Sequence, residues 1–554
     1  KDMASSGIWT KDIARRFYGN VNQLSSKLKG EKSPRKPVDY RLNPRERRDS
    51  REYLLPYEEE LHLADHFASL AHVSESVECV SAATIEETND PPAFTIRLAS
   101  NETPQPHVVE GLEKILTIVR EHAEAGKDRE EYKARLFDEV VSFSQERIYG
   151  RMRTSQWKRP LHHRRSNHLP LHERLEQNLA GIWAQSGNKS PQITSLRRAL
   201  FALRDALKGV HNGTPENQHS LLKTAILACH AVSNHDGSAS LETHLQRLGL
   251  PERISHSREV AEIDKLSKYW QVCNHLIRLS RQPQSRAHCQ NFALDICTAY
   301  PPLQPAGAVG ACHVHAEVQL VLFYEQTSPL RVEKLPRAMG ASKSACFLCD
   351  LFLAQHGRFG LSSSHMKLYP KWSIAEAPWT SAAHVRKFRG IVGAMSAEIG
   401  QLLRRGVFLR NVFAESRAHV LGIAQSEATA SSVISSVLSS ASSTTIIPTP
   451  YTTTHIYRLA DLPITLDMFP SSTGCELTAG VITYFFDFCD VTTAGKLCIS
   501  STTPEGRRGE RINAMELGKD ETCVRAGVGE RELAFYLHGD GRDEVWVSVS
   551  WDDP

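Results

Sequence analysis

The chain has 554 residues, a formal net charge of +3 and an apolar fraction of 41%. This length exceeds one ordinary domain, so we expect about two to four domains. The small net charge argues neither for nor against a nucleic-acid partner. No apolar run reaches about 18 residues, so we expect no membrane-spanning helix and no membrane partner.

The 12 cysteines are scattered, and several lie in apolar text, as Cys229 does in Ala225–Cys229. Such cysteines behave as small apolar residues and form no regular disulfide framework. We therefore expect an intracellular protein, cytoplasmic or nuclear. Because the chain begins at Lys1 and not at Met, the sequence leaves open whether a native segment precedes it.

Residues 1–51 hold 14 Lys or Arg against 6 Asp or Glu, with few large apolar residues. This composition predicts a basic, loosely ordered lead-in.

Residues 52–284 predict a mainly helical domain, because apolar residues recur at spacings of three and four, as in Leu196, Leu200, Leu203 and Leu207. Within it, residues 151–172 are rich in Arg and His around Trp157. Basic residues interleaved with an aromatic ring can bind phosphates and stack a base. A solvated loop between helices is the alternative, and charge runs favour it.

Residues 285–415 predict an α/β domain with alternating strands and helices. We predict strands at 292–300, 335–339 and 366–369, and helices at 315–324, 344–356 and 381–405. A Ser/Thr-rich linker is expected at 416–454 and a small β-rich domain at 455–554.

The central domain contains His315-Ala316-Glu317 and, 28 residues later, Cys346-Phe347-Leu348-Cys349. One imidazole and two thiolates are three ligands for a tetrahedral Zn²⁺, and three protein ligands leave a fourth position for water. Each half of the motif opens a predicted helix. We therefore predict two helix N-termini that converge on one ion, with His315, Cys346 and Cys349 as ligands.

Glu317 is placed to act on protons beside this ion. An uncharged Zn²⁺ site acidifies its bound water, and a nearby carboxylate can take that proton and pass it to a substrate. The combination H-x-E and C-x-x-C is typical of zinc deaminases that convert an amino-bearing base by hydrolysis. A structural zinc site and a redox pair are the alternatives, but a redox pair leaves His315-Ala316-Glu317 unexplained.

The residues 314–320, 340–349 and 365–372 around this motif resemble the OTT-type deaminase-like family, a branch of the cytidine deaminase superfamily that is common in fungi. The resemblance covers about 285–410. It implies a three-layer fold with a mixed sheet of about five strands, zinc ligands at His315, Cys346 and Cys349, and a proton shuttle at Glu317. The Pro that precedes the first cysteine in the wider superfamily is replaced here by Ala345.

Further residues are expected near the substrate. His313 is either an additional pocket residue or a polar residue at a strand end, and the second interpretation is favoured. His365, Lys367, Tyr369 and Trp372 either line the pocket, with an aromatic ring to stack on a base, or belong to the sheet core.

The sequence therefore predicts a multidomain protein whose central α/β domain is a zinc-dependent hydrolytic deaminase of a nucleobase. The base is carried by a nucleoside, a nucleotide or a nucleic acid, the last contacted through segments 1–51 and 151–172. The alternative is a catalytically silent deaminase fold with structural zinc that acts as a binding or scaffold module. The oligomeric state is not predicted.

Overall fold

The structure is a computed structural model. It describes residues 7–29, 32–40, 52–158, 169–177, 191–235, 240–326, 334–406 and 408–410, together with strand segments between 455 and 551. The chain forms two compact units, one of residues 1–233 and 239–421 and one of residues 234–238 and 422–554.

The helices of the first unit are α1 (Lys11–Leu28), α2 (Tyr57–Ala71), α3 (Pro106–Ala125), α4 (Arg129–Phe143), α5 (Gln145–Met152), α6 (Pro191–Asn212), α7 (Gln218–Ser233), α8 (Leu241–Arg247), α9 (Glu252–Ser255), α10 (Arg258–Arg281), α11 (Pro283–Gln290), α12 (Ala316–Gln326), α13 (Phe347–His356) and α14 (Ala382–Arg405). Its strands are β1 (Lys32–Ser33), β2 (Val38–Asp39), β3 (Ser81–Asn89), β4 (Pro92–Ser100), β5 (Ala293–Ile296), β6 (Ala338–Ala341), β7 (Gly360–Leu361), β8 (Ser363–Ser364) and β9 (Leu409–Arg410).

A mixed five-stranded sheet lies at the centre of this unit, in the order β5-β4-β3-β6-β7. β3 pairs antiparallel with β4 and β6, whereas β4 with β5 and β6 with β7 are parallel. Adjacent β3 residues point to opposite faces. Ala83 lies in a core shared with α2 and α3, and Ala82 lies in a second core shared with α12, α13 and α14. The sheet is therefore covered by helices on both faces.

The sheet departs from the predicted division of the chain at residue 285. Its two longest strands, β3 and β4, come from the region predicted to be mainly helical. The sequence of β3 shows no alternation of apolar and polar residues, because Glu86 and Glu87 lie within it although the strand is buried. Both carboxylates are satisfied inside the protein, Glu86 by Arg97 at 3.0 Å and Glu87 by the backbone N–H of Leu55 at 2.8 Å. Charged residues in the core thus concealed the strand.

The lead-in is more ordered than its composition predicts. α1 begins after the N-cap residue Thr10 and lies against α14. Phe17, Tyr18, Val21 and Leu24 are fully buried at helical spacing in the core shared with α12 and α13. The basic residues occupy the opposite face, so an average over the segment obscured an apolar stripe.

Most of the predicted helices are present. The predicted segments around 196–207, 221–229 and 258–279 lie in α6, α7 and α10, and those at 315–324, 344–356 and 381–405 correspond to α12, α13 and α14. The predicted strand at 366–369 is absent. Met366 has a φ of 57°, which breaks an extended chain, and the short strands β7 and β8 precede it instead.

The second unit contains β10 (His455–Arg458), β11 (Ile464–Met468), β12 (Cys475–Ala479), β13 (Ile482–Phe486), β14 (Gly495–Ser500), β15 (Glu510–Asn513), β16 (Glu532–His538) and β17 (Glu544–Trp551). They form a three-stranded sheet, β10-β12-β13, and a five-stranded sheet, β11-β14-β17-β16-β15. This confirms a β-rich C-terminal region. The predicted Ser/Thr-rich linker at 416–454 lies outside the described residues.

Candidate metal centre

His315 and Glu317 lie at the start of α12. The residue between them, Ala316, donates its backbone N–H to Oδ1 of Asn101 at 3.2 Å. One turn further, Gln319 Nε2 donates to the backbone oxygens of Ser100 at 2.8 Å and Val314 at 2.9 Å. The end of β4 therefore fixes where this helix begins and how its first turn is oriented.

Cys346 and Cys349 lie at the start of α13. Cys346 is the N-cap residue, and its Sγ accepts the backbone N–H of Cys349 at 3.4 Å. The positive end of the helix dipole favours thiolates at both positions. The predicted convergence of two helix N-termini is therefore present.

The three predicted ligands come together. His315 Nδ1 lies 3.7 Å from Cys346 Sγ and 3.4 Å from Cys349 Sγ. Bond lengths of about 2.3 Å to sulfur and 2.0–2.1 Å to nitrogen place the two atom types about 3.6 Å apart around a tetrahedral zinc ion. All three donor atoms lie within 4.8 Å of one another, and no other such group of His, Cys, Asp or Glu occurs among the described residues. The donor set and its spacing thus fit zinc.

The pKa values of Cys346 and Cys349 are shifted in opposite directions. Burial raises the pKa of Cys346, but the hydrogen bond with Cys349 and the charge of His315 together bring it well below the ordinary value. Burial and the neighbouring Cys346 hold the pKa of Cys349 well above it. For His315, burial lowers the pKa, but Cys346 more than compensates and raises it. The two thiols and the imidazole therefore influence one another's pKa values, as closely placed titratable groups do.

Glu317 is buried beside the ligands, with Oε2 3.4 Å from Cys349 Sγ. Burial raises its pKa, and the charge of His315 opposes this effect. A carboxylate with a raised pKa accepts a proton more readily than an ordinary one does. Its position suits the predicted proton shuttle.

Trp372 is buried rather than lining an open pocket. It is fully enclosed and packs against Phe17 and Phe352, with ring centroids 6.0 and 5.7 Å away. Its indole Nε1 is buried with no acceptor in hydrogen-bonding geometry among the described residues. The indole has a small lowering effect on the pKa of the neighbouring Cys349, although burial and Cys346 hold that pKa well above the ordinary value. An indole N–H beside a candidate sulfur ligand is typical of the surroundings of metal sites.

Two histidines predicted near the substrate differ in exposure. His313 is exposed, and its backbone pairs with that of Lys371 and Ser373. His365 is buried, and its Nδ1 accepts the backbone N–H of Lys367 at 3.0 Å.

Tyr369 presents the exposed aromatic ring of this region. It is 37% exposed, its ring lies 6.4 Å from that of His315, and it meets His365 edge to face at 5.7 Å. The sequence had left it undecided between pocket and core. Its exposure and position favour the pocket.

Asn101 and Gln319 were missed by the sequence reasoning. Gln319 is hidden within an apolar helix, where nothing indicates its backbone contacts. A signal for Asn101 did exist, since Phe94, Ile96 and Leu98 alternate with polar residues and predict a strand that ends just before it.

The basic segment 151–172 uses several of its residues inside the protein. Arg151 pairs with Glu262 at 2.9 Å. Arg153 pairs with Glu75 at 3.2 Å and covers the ring of Trp157 at 3.9 Å. These two arginines therefore have ion-pair partners within the protein, and residues 159–168 of the segment lie outside the described part.

No described helix is both long enough and apolar enough to cross a bilayer.

Comparison with known proteins agrees with this site. Residues 314–376 match the model of the OTT_1508-like deaminase family, and this stretch contains all three candidate ligands and Glu317. No curated protein and no solved structure matches the chain.

Proposed function

We propose, from the deaminase-like domain at residues 314–376, that the protein is a zinc-dependent hydrolase that removes the exocyclic amine of a nucleobase. The observation that carries this proposal is the cluster of His315 Nδ1, Cys346 Sγ and Cys349 Sγ with Glu317 buried beside it. Overall, water replaces the amine on a ring carbon, and the amine leaves as ammonia.

His315, Cys346 and Cys349 would hold the zinc ion. Bound zinc would supply a water of lowered pKa as the nucleophile. The two helix N-termini orient the ligands, and Asn101 and Gln319 keep the first turn of α12 in place.

Glu317 transfers protons during the reaction. Its carboxylate takes one proton from the attacking water and delivers it to the ring nitrogen. It then takes the remaining proton from the new hydroxyl group and delivers it to the amine, as the C–N bond breaks and the C=O bond forms. A raised pKa brings Glu317 closer to the pKa values of the groups with which it exchanges protons, and this match makes proton transfer efficient. A structural metal site would not require a carboxylate in this position.

Tyr369 would bind the base. An exposed aromatic ring beside the ligand cluster offers a stacking surface, and stacking contributes about 1–3 kcal/mol per base. Stacking does not distinguish carriers, so it is compatible with a base in a nucleoside, a nucleotide or a nucleic acid. An activity screen over all three classes separates them.

The test of the metal is elemental analysis of the purified full chain. We expect one zinc per chain, lost in Cys346→Ser. The matched control is Cys289→Ser, because Cys289 is buried in the other core of the same unit and should leave zinc unchanged. A parent protein without zinc would refute the metal site.

The test of the reaction is ammonia release from nucleosides, nucleotides, single-stranded DNA and RNA. Glu317→Gln should keep zinc and lose at least about 100-fold in rate, the contribution expected of a general acid–base. The control is Glu325→Gln on the same helix, whose carboxylate pairs with His356 and Lys387 away from the ligands. If Glu317→Gln released ammonia at the parental rate, the mechanism would be wrong. Zinc binding without activity on any substrate would favour the silent binding module.

A further inference from the structure

A group of cations between α5, α10 and the chain that follows α5 outnumbers the carboxylates that neutralise it. The cations are Arg147, Arg151, Arg153, Arg174 and Lys265, and the carboxylates are Glu75, Glu259 and Glu262. Partly buried cations without counter-charge are costly, so such an excess calls for an explanation.

Each of these carboxylates is already committed. Glu262 binds Arg151 at 2.9 Å and Lys265 at 3.1 Å. Glu75 binds Arg153 at 3.2 Å and also accepts the indole N–H of Trp157 at 3.0 Å.

Glu259 binds Arg174 at 3.1 Å. Arg147 is thus the cation left without a carboxylate.

Arg147 lies one turn before Arg151 on α5, so the two side chains share one helix face. No group in the described part of the chain forms an ion pair or hydrogen bond with Arg147. Its Nε is buried without a partner, and so is Nε of Arg151. Burial together with the charge of Arg151 lowers the pKa of Arg147 to about 10. The side chain of Arg147 is therefore a partly buried guanidinium group with no anionic partner bound to it among the described residues.

A further nitrogen without a partner lies nearby. His72 is buried at the end of α2, and its Nε2 has no partner among the described residues. Burial lowers the pKa of His72 well below the ordinary value, and the charges of Arg147, Lys343 and Arg151 add to the effect. The positive charges of these three residues therefore act on the buried imidazole of His72. Lys343 precedes Cys346 by three residues, so the cluster adjoins the loop that leads to the metal ligands.

We propose that Arg147, Arg151 and His72 form a binding site for a phosphate group, either as free phosphate or as part of a small nucleotide. Phosphate oxygens accept hydrogen bonds from several donors at once, and guanidinium groups bind them in a fork-like geometry. The ligand supplies the negative charge that this cluster lacks.

The experiment is thermal unfolding of the zinc-loaded full chain with inorganic phosphate or with AMP, against sodium chloride at equal ionic strength. We expect phosphate or AMP to raise the Tm of the parent by at least about 2 °C, since a ligand that binds only the folded state stabilises it. Because phosphate also stabilises proteins non-specifically, the shift must be compared between variants.

Arg147→Met should lose this ligand-dependent shift. Without ligand it should be at least as stable as the parent, because the substitution removes an unpaired cation. The control is Arg204→Met, which removes an arginine that already pairs with Asp205 and should keep the parental shift. A response to AMP at lower concentration than to phosphate identifies a nucleotide as the source, and equal responses identify free phosphate.

The proposal is overturned if neither probe shifts the parent more than Arg147→Met. Equilibrium dialysis of the parent with labelled phosphate gives an independent measurement should the variant fail to fold, and no binding at 1 mM, taken as roughly the weakest affinity of interest, would also refute the site. Glu317→Gln should bind phosphate like the parent, so this test is separate from that of the deaminase activity.

Discussion

Gly340 on β6 allows α2 to approach the sheet at the distance of backbone contact. A Cβ atom at this position would lie 2.1 Å from the backbone carbon of Ala64 and 2.1 Å from the backbone nitrogen of Asp65. Ordinary contacts begin at 3.4 Å, so a Gly340→Ala variant must move α2 and β6 apart by about 1.3 Å.

This movement is resisted by specific hydrogen bonds. Asp65 Oδ1 accepts the backbone N–H of Ala341 at 3.0 Å and the hydroxyl of Ser362 at 3.2 Å. Glu60, also on α2, accepts the backbone N–H of Ala338 at 2.9 Å. Overpacking typically costs about 1–3 kcal/mol, and we expect the upper part of this range because the obstacle is backbone.

The assay is guanidinium unfolding followed by circular dichroism. Gly393→Ala on α14 is the matched control, because a Cβ there meets nothing within 4 Å. This control should stabilise by about 0.5–1 kcal/mol, since alanine replaces glycine within a helix. If Gly340→Ala were as stable as the parent, the close contact of α2 with β6 would not exist as described.

Three further predictions concern other contacts. Phe17→Ala should lower the free energy of unfolding by about 3–5 kcal/mol, because a fully buried ring is removed. Gly19→Ala on the same helix should not, because a Cβ there has open space. Equal unfolding midpoints for the two variants would show that α1 does not pack on the core. Trp372→Phe should weaken zinc affinity about 10-fold in chelator competition, because the loss of a group that supports a metal ligand has an effect of this size. Trp379→Phe should leave the affinity unchanged. Unchanged affinity in Trp372→Phe would exclude a role for the indole N–H. Burial raises the pKa of Glu59, but the contacts of its carboxylate with His275 and Arg278 lower this pKa to about 2. These contacts therefore stabilise the folded protein fully above the unfolded-state pKa of about 4.5. The stabilisation is lost as the pH falls toward 2. The free energy of unfolding of Glu59→Gln should therefore lie below that of the parent by on the order of 3 kcal/mol at neutral pH, with a gap that closes in acid; a gap independent of pH would contradict this.

The metal site could be predicted because its information is local. Spacings of two and three residues place His315 with Glu317 and Cys346 with Cys349 at helix starts, and both starts are where the sequence indicated. The residues that hold these starts in place are distant in sequence. Asn101 contacts Ala316 from β4, and nothing in a single sequence connects them.

Other features were concealed by side-chain pairing or backbone conformation. Glu86 made β3 appear exposed, although Arg97 neutralises it within the sheet. The positive φ of Met366 ends what resembled a strand. Trp372 resembled a stacking residue, whereas the helix α1 that helps to bury it was itself hidden within a basic segment.

The packing of α1 against α14 has a consequence for synthesis of the chain. The centres of these helices are separated by about 375 residues, and a ribosome adds about 5–20 residues per second, so α1 is complete roughly 20–75 s before its partner emerges. During this interval the side chains of Phe17, Tyr18, Val21 and Leu24 have no final packing partner on α14. The nascent protein therefore carries an exposed apolar helix that a chaperone can bind, and the core around the metal ligands closes among the last events of folding.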